Sequence, residues 1–570
     1  MKDAMTIQSG VVRRAIVVFM VVISIGSIRL EHSVAAELLS LAGDAAELLS
    51  QTDEAAEKPI QPGNSAEPAA EENATFEVNG FLVEGNTLFP DKKDRISLYE
   101  YTGPGKTAAD VEKARDALEK FYHEKGYPTV LVSIPEQSLE DGIVKFQVIE
   151  STINKVTVSG NDYFSTEQIL ADLPSLAPGE IIHLPKVQND INKINFSPDI
   201  KVVPNLIPGK EVGTVDVELK VEDHLPFHGS AELNNRYTAG TTDLRFNGTL
   251  RYDNLWKKKH AISIQYQTSP EDLNEVQAVS GAYSLPIPGH DQDRLALYGI
   301  YNKSNTAFGE GFKAIGNGSV IGLRYQPTLP QYPTVTQYLS LGLDYKDFKD
   351  ETGLSGGTSN ATTPITYVPF SLAYGLTLMD AGGYTQFSGA VNLSFRGLTT
   401  ESNFENKRYN AHGNYIYATL GVERTQSLPV DMVWYAKVDG QLSDQPLISN
   451  EQYSAGGMDN VRGYHESEVM GDNAFHVSTE LRSPDLFQYG RYKDKLRSTP
   501  YLFYQGAWLE VIDPLPGQTR RFNLQGIGLG MRGGLVGMFD YELIWGHALK
   551  STSSTANGRN RVHFFVKYLF

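Results

Sequence analysis

Cysteine is absent from the chain, which excludes disulfides, thiolate metal sites, cysteine nucleophiles and an N-terminal lipoprotein cysteine together. Positive charge is scarce: 50 Lys and Arg stand against 68 Asp and Glu, a formal net charge of −18. The clustered cations that a phosphate backbone demands are therefore missing, and nucleic acid is not expected as a partner. No His-Glu-x-x-His occurs and the 12 His are scattered, so the sequence offers no metal centre or cofactor site, and an enzyme is not expected. Gly103–Thr107 (GPGKT) has the end of a phosphate-binding loop, but Glu100 stands where its first glycine belongs. Long apolar runs are limited to one, at the N-terminus.

That run, Ala15–Ile28, follows Lys2, Arg13 and Arg14 and precedes Val34-Ala35-Ala36. The order is that of a secretory signal occupying 1–36 and cleaved after Ala36. The run is shorter than the roughly 20 residues of a spanning helix, so the mature chain is expected to lack one. AAELLS then occurs at Ala35–Ser40 and again at Ala45–Ser50, with Leu38, Leu41, Ala42, Ala45, Leu48 and Leu49 at helical spacing. The pattern predicts an amphipathic helix over 37–57, followed by a Pro-, Glu- and Ala-rich linker over 58–75.

From Phe76 a strand (FEVNGFLVEGN) leads to a short helix near Asp91–Tyr99 and a long one over Thr107–Lys125. Thr107 and Asp110 mark the start of the long helix, whose apolar face is Val111, Ala114, Leu118, Phe121 and Tyr122. Two strands follow, Thr129–Ile134 and Ile143–Ile149, turned by Asp141-Gly142. The same order returns at once: INKVTVSGN, helices near Ser165–Ala171 and Leu184–Ile194, then DIKVVPN and GTVDVELKVED. The two opening strands end alike, in VEGN (Val83–Asn86) and VSGN (Val158–Asn161), which marks a tandem repeat over 76–150 and 151–223.

Beyond residue 224 helical patterns cease and apolar residues alternate with polar ones. Leu244, Phe246, Gly248, Leu250 and Tyr252 share one face while Arg245, Asn247, Thr249 and Arg251 share the other. His260–Thr268 and Phe387–Arg396 repeat the pattern. Alternation alone fits a soluble sandwich or a barrel. The secretory signal, the length of the alternating region and the load of 30 Tyr and 25 Phe favour a transmembrane antiparallel barrel over 224–570, with room for about 16 strands.

The string FLVEGNTLF, then Gly126-Tyr127, Pro135-Glu136-Gln137, Asp141-Gly142 and the strand end VIE resembles the periplasmic POTRA (polypeptide-transport-associated) domains of two-partner secretion transporters, the ShlB/FhaC/HecB haemolysin secretion and activation type. Val461-Arg462-Gly463-Tyr464 is similar to the tetrad that this superfamily carries in its sixth extracellular loop. The resemblance implies a mainly β chain: two periplasmic α+β POTRA domains, then an outer-membrane barrel of a Gram-negative-type bacterium. It implies an arginine docked on a wall aspartate in a Phe-x-Asp-x-Gly motif. Here Phe503-Tyr504-Gln505-Gly506-Ala507 departs from that motif at two positions, so Gln505 anchors the loop loosely, or another acid, Glu480 or Glu510, takes the arginine.

It also implies a function: export of a large unfolded exoprotein through the barrel without ATP or cofactor. The POTRA domains would capture the cargo by strand addition at Thr129, Val130, Leu131, Val132 and Ser133 and at Ile200, Lys201 and Val202. Arg245, Arg251, Gln265 and Arg396 would line the lumen, and Tyr568 and Phe570 would form the terminal signal read by the barrel-assembly machinery. The helix over 37–57 is a possible plug of the pore. The competing readings are a barrel-assembly insertase within the superfamily and a passive porin outside it.

Overall fold

The computed structural model describes residues 75–90, 98–139, 141–303, 317–330, 332–353, 360–395 and 397–570. The expected signal, amphipathic helix and linker (apart from its last residue) and Arg396 lie outside the described residues.

The first domain opens with β1 (Phe76–Val78) and β2 (Gly80–Glu84), then β3 (Gly103–Lys106), α1 (Ala108–Glu124), β4 (Val130–Ser133) and β5 (Ile143–Glu150). Leu98–Tyr101 is a 3₁₀ turn, and GPGK, far from cradling phosphate, is β3, paired antiparallel with β1. Thr107 and Asp110 close a reciprocal cap on α1. The Thr107 amide and hydroxyl hold the Asp110 carboxyl below its ordinary pKa. Val111, Ala114, Leu118 and Tyr122 pack from α1 onto Val130, Val132, Val144, Phe146 and Val148 of the sheet, whose order is β2-β5-β4.

The second domain repeats the plan with β6 (Thr152–Ser159), α2 (Thr166–Ala171), α3 (Leu184–Asn195), β7 (Ile200–Pro208) and β8 (Thr214–Asp223), in the sheet order β6-β8-β7. The VEGN and VSGN strings now have a physical reason. Gly85 and Gly160 sit at φ +78° and +87°, and a Cβ on either would collide with a carbonyl oxygen, of Val148 and of Val221. Asn86 and Asn161 each donate from the side-chain amide to a carbonyl three residues on, at 2.6 and 2.8 Å. Each turn is then capped by the acid that ends its domain: Glu150 accepts the amides of Thr87 and Leu88, and Asp223 those of Asp162, Tyr163 and Phe164. The domains meet where the Leu184 amide donates to the Gly126 carbonyl at 2.8 Å, with Tyr127 against His183.

Residues 227–569 form a closed antiparallel barrel. Seventeen strands make the wall, but Asn360–Tyr367 and Phe370–Asp380 both pair with the long strand Val335–Gly353 and are two halves of one stave, giving sixteen. Leu250, Ile264, Leu297, Ile321, Leu420 and Leu502 are exposed on the outside, while the alternate positions carry polar groups inward. A cylinder greasy outside and polar within, with its backbone bonds closed in the ladder, is a bilayer-spanning structure. The wall closes where Phe565–Leu569 pair with Ser230–Asn234. Phe570 extends that seam, its amide donating to the Gly229 carbonyl at 3.0 Å and its carbonyl accepting from the Gly229 amide at 2.7 Å. Tyr568 and Phe570 both face outward and stack on each other.

Gly160→Ala places a side chain in a left-handed conformation against the Val221 carbonyl. It should destabilise the second domain by about 1–3 kcal/mol, read as faster proteolytic cleavage between residues 151 and 223 with the barrel left intact.

Candidate functional site: the loop lock and the lumen

The strands Val433–Ser443 and Asn473–Arg482 are wall neighbours, and the segment between them is the sixth loop at the barrel end away from the N-terminal domains. A short hairpin, Tyr453–Ala455 with Val469–Gly471, pinches its stem. The tip folds back into the lumen, burying Val461, Arg462 and Tyr464. Arg462 donates from Nη2 to Glu480 Oε1 at 2.7 Å and from Nε to the Met458 carbonyl at 3.1 Å. Its guanidinium lies over the Phe503 ring at 4.6 Å and the Tyr501 ring at 5.4 Å.

Gln505 takes a different part of the same residue: its Oε1 accepts the Arg462 backbone amide at 3.0 Å, and its Nε2 donates to Ser478 Oγ. The carboxylate comes instead from Glu480 on the neighbouring strand, where Glu480 sits opposite Phe503 and Ser478 opposite Gln505. Glu480 also holds Arg482 at 2.8 Å and Arg532 at 3.0 Å, and it is 2% exposed. Three guanidinium groups thus converge on one buried carboxylate. Glu510, at the far end of its strand, binds Arg520 and Arg521 and takes no part.

The sequence patterns do not reveal how the wall receives the loop. Gly463 is at φ +101° and its amide donates to His563 Nε2 at 3.2 Å. A Cβ on Gly546 would come within 2.7 Å of the Gly463 nitrogen, and one on Gly526 would strike the Arg462 carbonyl. These two glycines therefore let the loop backbone lie against the wall. The Tyr464 hydroxyl closes the anchor on the Lys550 carbonyl at 2.8 Å.

The far end of the lumen is filled. Helix α4 (Glu401–Lys407), in the fifth loop, turns Phe404 inward onto Tyr367 and Tyr415, and Leu447 and Ile448 of the sixth loop join them against Tyr298, Ile300 and Phe348. The buried Glu451 carboxylate accepts from Lys346 at 2.6 Å, from Tyr417 at 2.7 Å and from the Tyr367 hydroxyl. Asp472, fully buried, ties three loops at one point: Arg408 of the fifth at 3.2 Å, Leu447 and Gln452 of the sixth at 2.9 Å, and the Ile512 amide of the seventh at 2.7 Å.

Of the residues expected to line the lumen, Gln265 stands on the inward face opposite Thr249. Arg251 lies near the barrel end that carries the N-terminal domains and pairs with Asp253 at 2.9 Å. Arg245 does not offer its charge to a passing chain. Its guanidinium is buried and donates to Thr241 Oγ1 at 2.7 Å and to the Thr242 and Leu244 carbonyls at 2.8 Å, so it braces the first loop.

The expected capture strands β4 and β7 need a sharper correction. Both lie at sheet edges, but several of their outward main-chain groups are occupied. The Val132 amide donates to Glu119 Oε2 at 2.9 Å, and the Val130 carbonyl meets His123 Nε2 at 3.1 Å, both from α1. Asn195 of α3 serves both groups of Val202, accepting its amide at 2.7 Å and donating to its carbonyl at 3.1 Å. Pro204 and Pro208, on the same outward parity as Val202, have no N–H to give. These side chains and prolines guard β4 and the first half of β7 against pairing.

The second domain is held to the barrel at the turn over 254–259. Gln168 Nε2 donates to Asn254 Oδ1 at 2.9 Å, Lys257 Nζ reaches the Asp162 carbonyl at 3.3 Å, and Lys259 pairs with Asp172. Beside this joint His228 contacts Asp199 at 3.0 Å, with Asp253 at 3.9 Å. Residues far apart in sequence form that trio, and no spacing announces it.

Residues 213–533 match the family described as haemolysin secretion/activation protein ShlB/FhaC/HecB, and residues 76–151 match the ShlB-type POTRA domain. The chain belongs to the haemolysin secretion/activation family. Its curated relatives include the outer membrane transporter CdiB of Dickeya dadantii, 21% identical over 72% of this chain and 73% of that protein. The heme/hemopexin transporter protein HuxB of Haemophilus influenzae is 19% identical over 68% of each. Among solved structures, CdiB from Escherichia coli shares the fold with a TM-score of 0.63 at 18% identity, covering 95% of this chain and all of that one. BamA from Haemophilus ducreyi lacking POTRA domains 1–3 does so at 0.51 and 14% identity, over 87% of this chain. The chain is thus an outer-membrane transporter with its POTRA region in the periplasm, and the far-end loops lie at the cell surface.

Two substitutions separate the parts of the lock. Glu480→Gln leaves Arg462 and Arg482 with no carboxylate and Arg532 with Glu542 alone, and should weaken the loop anchor by about 3–5 kcal/mol, seen as protease cleavage within 456–468 on intact cells. Gln505→Ala loses two neutral bonds, only one of them to the loop, and should cost about 1–2 kcal/mol, with little cleavage. Separately, Asp472→Ala frees three surface loops and should raise single-channel conductance in planar bilayers, whereas an unchanged conductance would show that the loops close the lumen without it.

Proposed function

We propose that this transporter exports a large exoprotein in unfolded form, captured in the periplasm by its two α+β domains and passed through the barrel to the surface, where cargo folding drives the transfer. The observation that carries the reading is the buried Arg462–Glu480 anchor of the sixth loop inside a barrel joined by its first turn to tandem periplasmic domains. A porin has no use for either part. The lumen at the surface end is packed with Phe404, Leu447 and Ile448, so passage requires the fifth and sixth loops to move, and Asp472, which bonds both, makes them move together. No nucleotide or cofactor enters this cycle. Nascent Tyr568 and Phe570, at the seam-forming end, are the residues we assign to recognition by the barrel-assembly machinery.

Deleting the gene and comparing secreted, surface and outer-membrane proteins by mass spectrometry tests the reading. Loss of one large exoprotein with other barrels unchanged is the expected result. A broad loss of barrels would make the protein an insertase, and no loss of any secreted protein would remove the export reading.

A further inference from the structure

Where β4 and the start of β7 are guarded by side chains of their own helices, the first strand of the second domain has an open edge beside the barrel. Strand β6 pairs with β8 on one side only. The start of its other side is covered: Ile153 donates to the Glu180 carbonyl at 2.9 Å and accepts from the Gly179 amide at 2.7 Å. The register with β8 slips between Ile153 and Lys155. Over Lys155–Ser159, no strand, loop or side chain among the described residues bonds the main-chain groups that face away from β8. In a parallel pair alternate residues turn both N–H and C=O away from the partner, so this stretch is a template for one more strand.

Its surroundings favour an extended polypeptide. Lys155, Thr157 and Ser159 are exposed and polar, so recognition falls on the main chain and tolerates many sequences, as an exported chain of changing sequence requires. The strand also has a direction. It ends in the Gly160–Phe164 turn, which bonds the first barrel turn through Asn254 and Lys257. A strand laid along Lys155–Ser159, about 17 Å of chain, therefore ends at the barrel.

We propose that the outer edge of β6, residues Lys155–Ser159, is where an extended segment of the exported protein adds to the transporter, and that β4 and β7 do not bind it. The proposal rests on the export reading and names its binding edge.

The test uses the full-length transporter in producing cells, with a photo-crosslinking amino acid at Thr157 or, for comparison, at Val203, which is exposed on β7. The probe is the exoprotein that disappears from the medium on gene deletion. Each variant is first shown to export it, which also confirms folding. A crosslink to the exoprotein at Thr157 at least about tenfold above Val203 supports the proposal. An equal or stronger crosslink at Val203 overturns it, as does a Thr157 adduct only to a second transporter or to the transporter's own N-terminal segment. Export without any Thr157 crosslink overturns the edge but leaves the export reading standing, whereas absence of an exported protein sinks both.

Discussion

A peptide N–H or C=O left unbonded in the hydrocarbon of a bilayer costs several kcal/mol, and the rest of this molecule follows from meeting that cost by closing a sheet on itself. Closure depends on a short seam, Phe565–Leu569 against Ser230–Asn234, which Phe570 prolongs through Gly229. Once the wall is closed, the way across is the lumen, and a lumen wide enough for sixteen staves must be filled when idle. The fifth and sixth loops fill it from the surface side with an apolar cluster. They can do so because the inward positions of the facing strands are not uniformly polar: Tyr298, Ile300, Phe348 and Tyr367 interrupt the polar lining where Phe404, Leu447 and Ile448 arrive.

What keeps those loops in place is a set of three buried carboxylates, each satisfied by donors from separate parts of the chain. Glu480 gathers Arg462, Arg482 and Arg532; Glu451 gathers Lys346, Tyr367 and Tyr417; Asp472 gathers side chains and amides of three loops. A buried ion pair contributes little net stability against an apolar alternative, but removing one partner is expensive. Such sites define one arrangement sharply and make partial release costly. Loops joined through Asp472 therefore leave as a group, while Glu451 and Glu480 hold the sixth loop to the wall until they do.

The fold was legible because its signals are local. Period-two alternation marked the wall strands, with length and aromatic load favouring a barrel over a sandwich, and VEGN and VSGN marked the two domain starts because each glycine faces a carbonyl that excludes a Cβ. The lock was only partly legible. VRGY was visible as a string, and Gln505 announced that the usual acid was missing. That Glu480 carries the charge depends on strand register, which sets it opposite Phe503, and register is not written in a single strand's pattern. The clefts at Gly526 and Gly546 were hidden for the same reason, since an inward glycine in a glycine-rich strand looks like any other. Arg245 was misplaced because face parity says which way a side chain starts, not where a long guanidinium ends.

The periplasmic edges show the same limit in a form that bears on mechanism. Two small sheets beside one another, with four edges between them, would pair with each other or with any unfolded chain. Helices α1 and α3 prevent this by sending Glu119, His123 and Asn195 across the strand edge, and the amide of Asn195 suits the task because it presents one donor and one acceptor, as a peptide does. Proline at 204 and 208 removes two further donors without help from a helix. Guarding costs side chains that could otherwise pack, so an edge left unguarded in the same domain needs a reason. Lys155–Ser159 is such an edge, and its far end is bonded to the barrel. A transporter that must accept many sequences but send each one the same way has reason to leave open an edge that leads to the pore.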